Sequence, residues 1–204
     1  MPSPSQLPDF SEYLTSSRVA QEEFAWASTR LFERNAANII SAAKLFSLGD
    51  SFRLLELGCG SGWVPTVLPL SIHYQGVDSN PSLIHLARKK NSPSREFILS
   101  DIREFDLIHS PIDLVCSFAV LKHFSLAEFP EIFRRMLFFA PCGVFNIQTA
   151  PVAYDDGIEY HHTWVTDEMI QDIVREAKRE VTLSETLHVS DLGEDRIFYI
   201  GGNP

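Results

Sequence analysis

The ten residues Leu54-Leu55-Glu56-Leu57-Gly58-Cys59-Gly60-Ser61-Gly62-Trp63 constrain this chain more than any other segment. They read as a short apolar strand that ends in glycines at G-x-G-x-G spacing, with a helix signal behind it. Glycine at Gly58, Gly60 and Gly62 lets the backbone turn sharply and leaves no side chain between the main chain and a ligand. A strand that bends in this way into a helix belongs to open α/β sheets, whose ligands lie against the strand tips. The spacing also discriminates. Dinucleotide-binding chains seat a pyrophosphate on a helix N-terminus with G-x-G-x-x-G. Here the third glycine comes one residue early, and a carboxylate, Glu56, stands two residues before the first. That carboxylate suits a ligand bearing an ammonium group better than one bearing phosphates.

At 204 residues the chain is read as one domain over 1–204, large enough for a substantial core. From Phe52 onward apolar segments alternate between strand and helix type. The pattern predicts strands at 52–57, 73–78, 95–100, 112–118, 143–149, 181–189 and 195–201, within a sheet core over 52–201. Helices are expected near 62–70, 81–90, 126–139 and 167–179. Asn80-Pro81 supplies an N-cap and a first-turn proline, and Thr166 caps a helix whose first turn carries Asp167 and Glu168. Ser125 and Glu128 have capping-box spacing, but Pro130 would then lie inside the helix; the pattern predicts a turn over 125–129 and a helix from Pro130. Pro65 and Pro69 should shorten or kink the helix after the glycines. Upstream, helical spacing over 10–48 predicts two or three N-terminal helices behind a loose, proline-rich tail at 1–9. Four of the first five strands are apolar on both faces and joined by helices, so a mainly parallel sheet follows. The short Gly-containing link from Ser190 to Glu194 predicts a closing antiparallel hairpin.

Composition narrows the partners. A net charge of −10 argues against non-specific nucleic-acid binding, which draws on clustered Lys and Arg. No apolar run reaches the ~18 residues of a membrane span, and the N-terminus lacks the charged-then-apolar order of a secretion signal. Cys59, Cys116 and Cys142 are odd in number and sit in apolar or glycine-rich segments, as reduced thiols of a cytoplasmic protein do.

Because ligands of open α/β sheets bind outside the carboxyl ends of the strands, the residues at those ends are the candidates. They are Glu56 with the glycines, Asp78 followed by Ser79, Asp101-Ile102, and Ser117-Phe118. A carboxylate at Asp78 can accept both vicinal hydroxyls of a ribose. Asp101 can accept from an exocyclic amine while the Ile102 amide donates to a ring nitrogen. Together they describe an adenosine with an amino-acid-like tail.

In these residues the chain resembles the class I S-adenosylmethionine-dependent methyltransferases, specifically their small-molecule group. The family's acidic residue and G-x-G-x-G appear as ELGCGSG at 56–62, its ribose-binding acid as Asp78 in GVDSNPSLI, and its adenine-binding pair as Asp101-Ile102. Its fourth-strand signature is matched by IDLVCSFAVLKHF at 112–124, and its next helix, turn and strand by PEIFRRMLFFAPCGVFNIQT at 130–149. The resemblance implies a Rossmann-like, seven-stranded, mostly parallel sheet with an antiparallel last strand, helices on both faces and an N-terminal helical cap over the cofactor. It further implies that S-adenosylmethionine is bound by Glu56, Gly58, Cys59, Gly60, Asp78, Ser79, Asp101, Ile102, Ser117 and Phe118. Within that set Glu56 and the Gly58–Gly60 backbone hold the methionine moiety, and the main chain around Ser117-Phe118 meets its amino group. Pro141-Cys142 precedes the fifth strand, where it reads as a turn and not as a nucleophile.

The expected activity is in-line methyl transfer to an N or O atom of a small-molecule acceptor. The segment 154–164, with Tyr154, Asp155, His161, His162 and Trp164, follows the fifth strand and would lie over the methyl donor. Its acids favour an amine acceptor, while its duller reading is a solvated loop anchored by Trp164. A protonated acceptor atom needs a base, and His123, His161, His162 and Tyr154 are the candidates. Aromatic walls for a cation could come from Tyr13, Trp26, Trp63, Phe118, Phe124 and Trp164. His161 and His162 are neighbours that would point to opposite faces of a strand, and no further ligand is spaced to complete a site, so no metal is expected. A non-catalytic cofactor-binding subunit acting through a protein partner is the competing reading. A dinucleotide or nucleotide-sugar enzyme is disfavoured by the spacing and by Glu56.

Overall fold

The computed structural model describes residues 18–106, 111–155, 163–190 and 193–202. Its strands are β1 (Arg53–Leu57), β2 (His73–Asp78), β3 (Glu96–Leu99), β4 (Leu114–Ser117), β5 (Cys142–Thr149), β6 (Arg179–Ser190) and β7 (Gly193–Gly202). They form one sheet in the order β3-β2-β1-β4-β5-β7-β6. The first five strands run parallel, and β7 lies antiparallel between β5 and β6. The order reverses between β1 and β4, which places a crevice at the carboxyl ends of those two strands.

Helices cover both faces, as the two-sided apolar character of the strands requires. On one face Leu55, Leu57, Val77, Val115, Phe145 and Phe198 pack against helices α4 (Phe129–Phe138) and α5 (Asp167–Glu176). On the other, Leu54, Tyr74, Leu114, Cys116, Val144 and Tyr199 pack against α1 (Arg18–Leu45), α2 (Val64–Val67) and α3 (Pro81–Lys90). Alternation along β1 therefore sends Leu55 and Leu57 to one core and Leu54 and Glu56 toward the other. Each fully buried Leu, Val or Phe in these layers contributes about 1.5–3 kcal/mol.

Several predicted boundaries move for local reasons. Of the N-terminal segment expected to hold two or three helices, residues 18–45 form one continuous helix, which no Gly or Pro interrupts, and residues 10–17 lie outside the described residues. It stops where Ser47 and Gly49 take left-handed backbone conformations. The loose tail expected at 1–9 lies outside the described residues. After the glycines only Val64–Val67 is helical, with proline in the first turn and Pro69 beyond the end. The buried guanidinium of Arg95 holds the following turn by donating to the carbonyls of Leu68 (3.0 Å), Pro69 (2.9 Å) and Ile72. Around Ser125 both features coexist. Ser125 Oγ donates to Glu128 Oε2 (2.7 Å) and the Glu128 amide donates to Ser125 Oγ (3.3 Å), in a turn placed just ahead of α4. Asn80 caps α3 by accepting from the amides of Ser82 and Leu83, and Thr166 caps α5 by accepting from that of Met169. The closing hairpin is longer than predicted and carries register shifts near Val181 and Thr186.

Candidate functional site

The glycine bend is tied to the end of β2. The amides of Gly58 and Cys59 donate to the Val77 carbonyl (2.8 and 3.0 Å). The Gly60 amide donates to Asp78 Oδ2 (2.8 Å), while Asp78 Oδ1 accepts from the Asn80 amide (2.8 Å). Gly58, Gly60 and Gly62 all have positive φ, but their surroundings differ. A Cβ on Gly58 would stand 2.2 Å from Val120 Cγ2, and one on Gly62 would stand 2.8 Å from Ala87 Cβ. A Cβ on Gly60 would meet no atom within 4 Å. Two of the glycines are thus required by close packing, and Gly60 presents the open side of the bend.

Glu56 is 3% exposed, and its Oε2 accepts from the Tyr74 hydroxyl at 2.5 Å. Room for that hydroxyl exists because Gly76 lies opposite Glu56 in register. A Cβ there would fall 2.7 Å from Tyr74 Oη and 2.8 Å from Cys59 Sγ. Burial pushes the Glu56 carboxyl up to about 8, with the Tyr74 hydrogen bond pulling the other way and Asp78 adding to the rise. Burial also raises Asp78, opposed by the amides of Asn80 and Gly60. The thiols of Cys59 and Cys116 are pushed far up by burial and by Glu56, so both stay protonated. Cys142, at the start of β5, is also raised by burial.

Asp101 follows β3, whose next residue, Ser100, donates its amide to the Asp78 carbonyl (3.1 Å). Its carboxylate accepts from the Arg103 amide (2.8 Å) and from Arg103 Nη1 (3.0 Å). Ile102 is buried in the core, and its carbonyl accepts from Arg135 Nε. At the end of β4 the buried Ser117 hydroxyl donates to the Leu57 carbonyl (2.9 Å), so the side chain serves strand packing. Phe118 is buried beside it. Ala119 then adopts φ 58°, and its amide donates to Asn146 Oδ1 (3.2 Å). Left-handed backbone at a residue other than glycine is strained and persists where surrounding contacts enforce it. Asn146 is itself fixed through bonds to Asp195 (2.6 Å) and the Arg196 carbonyl (3.2 Å). Residues 118–120 therefore lie against the glycine bend, with Val120 over Gly58. Ser79 is exposed at the β2 tip.

His123 ends the 3₁₀ turn Leu121–His123 and is exposed. Thr163 clasps this turn: its amide donates to the Lys122 carbonyl (2.9 Å) and its hydroxyl to the Phe124 carbonyl (2.5 Å). Asp155 accepts from the Leu126 amide (3.0 Å). Tyr154 and Trp164 pair through their backbones and stack, with ring centroids 6.1 Å apart. Both described ends of the segment after β5 thus converge on the region around His123. His161 and His162, the other two base candidates, lie outside the described residues, as do Tyr13 and the side chain of Trp26. Trp63 stacks on Phe32 (5.7 Å), and Lys90 Nζ lies 3.5 Å from its ring centre. Phe124 is covered by the Arg103 guanidinium (4.9 Å). Among the described residues no group of three or more His, Cys, Asp or Glu could hold a metal, and no helix is long and apolar enough to cross a membrane.

Three residues that matter here escape a reading of the sequence. Tyr74 had a usable signal, since strand parity puts it on the face of Glu56. Asn146 and Thr163 act across strand and loop contacts that leave no local mark.

The sequence matches a methyltransferase-domain family over residues 54–138, from β1 to the end of α4. No curated protein matches it at the level of sequence. Solved structures match almost its whole length. Magnesium protoporphyrin IX methyltransferase from Synechocystis PCC 6803, with S-adenosylmethionine bound, is 14% identical with a TM-score of 0.66, covering 98% of this chain and 100% of that one. The same enzyme with S-adenosylhomocysteine gives 12% identity and a TM-score of 0.68, over 95% and 94% of the two chains. An S-adenosylmethionine-dependent methyltransferase from Clostridium acetobutylicum ATCC 824 is 13% identical with a TM-score of 0.68, covering 91% of this chain and 100% of that one.

Proposed function

We propose that the chain, matched by a methyltransferase-domain family over residues 54–138, is a class I S-adenosylmethionine-dependent methyltransferase that methylates an N or O atom of a small-molecule acceptor, an amine being favoured. The observation that carries the cofactor side is the open face of Gly60, whose amide is held by the Asp78 carboxylate, in a bend that Val120 packs against at Gly58 and that follows directly on the buried Glu56. This donor set fits the group. Glu56 would pair with its ammonium, Asp78 would accept from the ribose hydroxyls, and Asp101 with the Ile102 amide would meet the adenine edge. Phe118, buried just past the end of β4, would supply an apolar wall.

When bound, S-adenosylmethionine supplies an electrophilic methyl group on a sulfonium. The protein's own task is alignment and exclusion of water, and positioning of this kind lowers a barrier by up to ~7–11 kcal/mol. The strained Ala119, held by Asn146, keeps residues 118–120 in place against the bend. The Thr163 clasp brings the segment after β5 toward His123. His123, exposed at that junction, is the best described candidate to take a proton from a protonated acceptor, with Tyr154 behind it. The net charge of −10 and the acids of 155–159 support a cationic acceptor over an anionic one. The three cysteines, unpaired in the fold, are consistent with a cytoplasmic setting. The test has two arms. Calorimetry should show binding of S-adenosylmethionine and S-adenosylhomocysteine but not NAD. Labelled-methyl turnover on pooled amines, alcohols and carboxylic acids should then concentrate in the amine pool, and turnover confined to carboxylic acids contradicts the acceptor class.

A further inference from the structure

We propose that Tyr74 is the positioning residue that orients the Glu56 carboxyl and favours its ionisation when it meets the ammonium group of the cofactor. The proposal deepens the reading above and rests on it. Glu56 sits within the sheet face and not at its wet rim, and among the described residues Tyr74 is its hydrogen-bond donor. Three features of the chain are given to that bond. Gly76 has no side chain where the hydroxyl must pass. Tyr74 is itself 2% exposed, with its ring packed against Phe97 at 5.6 Å. Its hydroxyl stays protonated, and therefore a donor, because burial and Glu56 push its ionisation well above the usual tyrosine range.

A donor to a carboxylate favours the charged form, whereas burial favours the neutral one. The balance here is set by a small group of neighbours. From β2 come Tyr74 and Asp78, from the bend Cys59, and from β4 Cys116. Helix α1 packs Ala36 and Ile39 on this face and keeps Glu33 and Arg34 exposed; α3 keeps His85, Arg88, Lys89 and Lys90 exposed. Asp78 opposes ionisation of Glu56, and the two thiols stay neutral, so among the described side chains Tyr74 is the neighbour that promotes it. Below the Glu56 transition near 8 the carboxyl carries a proton that must leave before it can pair with an ammonium. Binding of a ligand with that ammonium should therefore release a proton at neutral pH, and binding of one without it should not.

Two probes separate the cases. S-adenosylhomocysteine carries the amino-acid tail; 5′-methylthioadenosine shares the nucleoside and lacks the tail. In titration calorimetry at pH 7, run in buffers of different ionisation enthalpy, the first should release close to one proton and the second none. Tyr74→Phe preserves packing and should weaken S-adenosylhomocysteine about tenfold at pH 7 and less at pH 8.5, with methylthioadenosine within about twofold. The ligand amine titrates too, but identically for every variant. In a Glu56→Gln background, Tyr74→Phe should change neither affinity, because the two residues act as one unit. Equal losses for both nucleosides would make Tyr74 a merely structural residue, and no proton release from wild type would overturn the proposal without any variant. Failure of wild type to bind either nucleoside would instead overturn the cofactor site on which the proposal rests.

Discussion

Replacing Gly60 by alanine separates a ligand seat from a mere connector. The residue has φ 52°, and no atom lies within 4 Å of where the new methyl would stand. The only folding cost is the left-handed backbone of a residue with a Cβ, about 1–2 kcal/mol. At roughly 2–4 °C per kcal/mol for a domain of this size, the melting temperature should drop by about 2–8 °C. The methyl projects into the space assigned to the cofactor, so S-adenosylhomocysteine should bind at least about tenfold more weakly, the equivalent of ~1.4 kcal/mol. Gly62→Ala makes the contrast. Its methyl would stand 2.8 Å from Ala87 Cβ and 2.9 Å from the Phe97 ring. Overpacking should add about 1–3 kcal/mol to the backbone cost, with the folded fraction binding normally. Urea denaturation and titration calorimetry on the same preparations read both quantities. Wild-type affinity in Gly60→Ala, with Gly62→Ala destabilised as described, would refute the seat and leave a simple strand-to-helix turn.

Other substitutions probe neighbouring parts. Asp78→Ala removes the acceptor of the Gly60 and Asn80 amides together with the proposed ribose contact; calorimetry should show at least about tenfold weaker cofactor binding in a protein that still melts cooperatively, and unchanged affinity would contradict the ribose assignment. Arg95→Met takes away the donor to the carbonyls of Leu68, Pro69 and Ile72. It should cost about 3 kcal/mol in urea denaturation while leaving cofactor affinity within about twofold; a cost below about 0.5 kcal/mol would mean that the turn holds itself. Folding stability should respond to Glu56 as well. Its carboxyl is raised from 4.5 to about 8 on folding, so the folded state binds more protons across that window and stability falls as pH rises through it. Glu56→Gln should flatten that part of the stability profile, and a wild-type profile unchanged by the substitution would show that Glu56 does not ionise there.

Much of the site was legible because its logic is local. Each of the first three strands ends in, or within two residues of, a carboxylate, and Gly58 and Gly62 fall where Val120 and Ala87 leave no room for a Cβ. The parallel order of β1 to β5 followed from strands apolar on both faces. What escaped depends on register or on distant contacts. Parity puts Tyr74 and Glu56 on one face, but only the alignment of Gly76 with Glu56 brings them together. Ser117 was placed at a strand tip correctly, yet its hydroxyl is committed to the Leu57 carbonyl. Asp101 is at its expected tip with Arg103 folded onto it, a local contact that the sequence spacing alone does not specify. Over 18–45 the chain is one uninterrupted helix, whose continuity follows from the lack of Gly and Pro there and not from apolar spacing, which does not mark breaks.

A crystal structure of the protein with S-adenosylhomocysteine tests the central claim most directly. The ribose hydroxyls should lie within hydrogen-bond distance of Asp78, the ammonium beside Glu56, and the nucleoside across the open face of Gly60, with the sulfur facing residues 118–120. A nucleoside found away from the glycine bend, or a bend that binds NAD and leaves S-adenosylhomocysteine in solution, would contradict it.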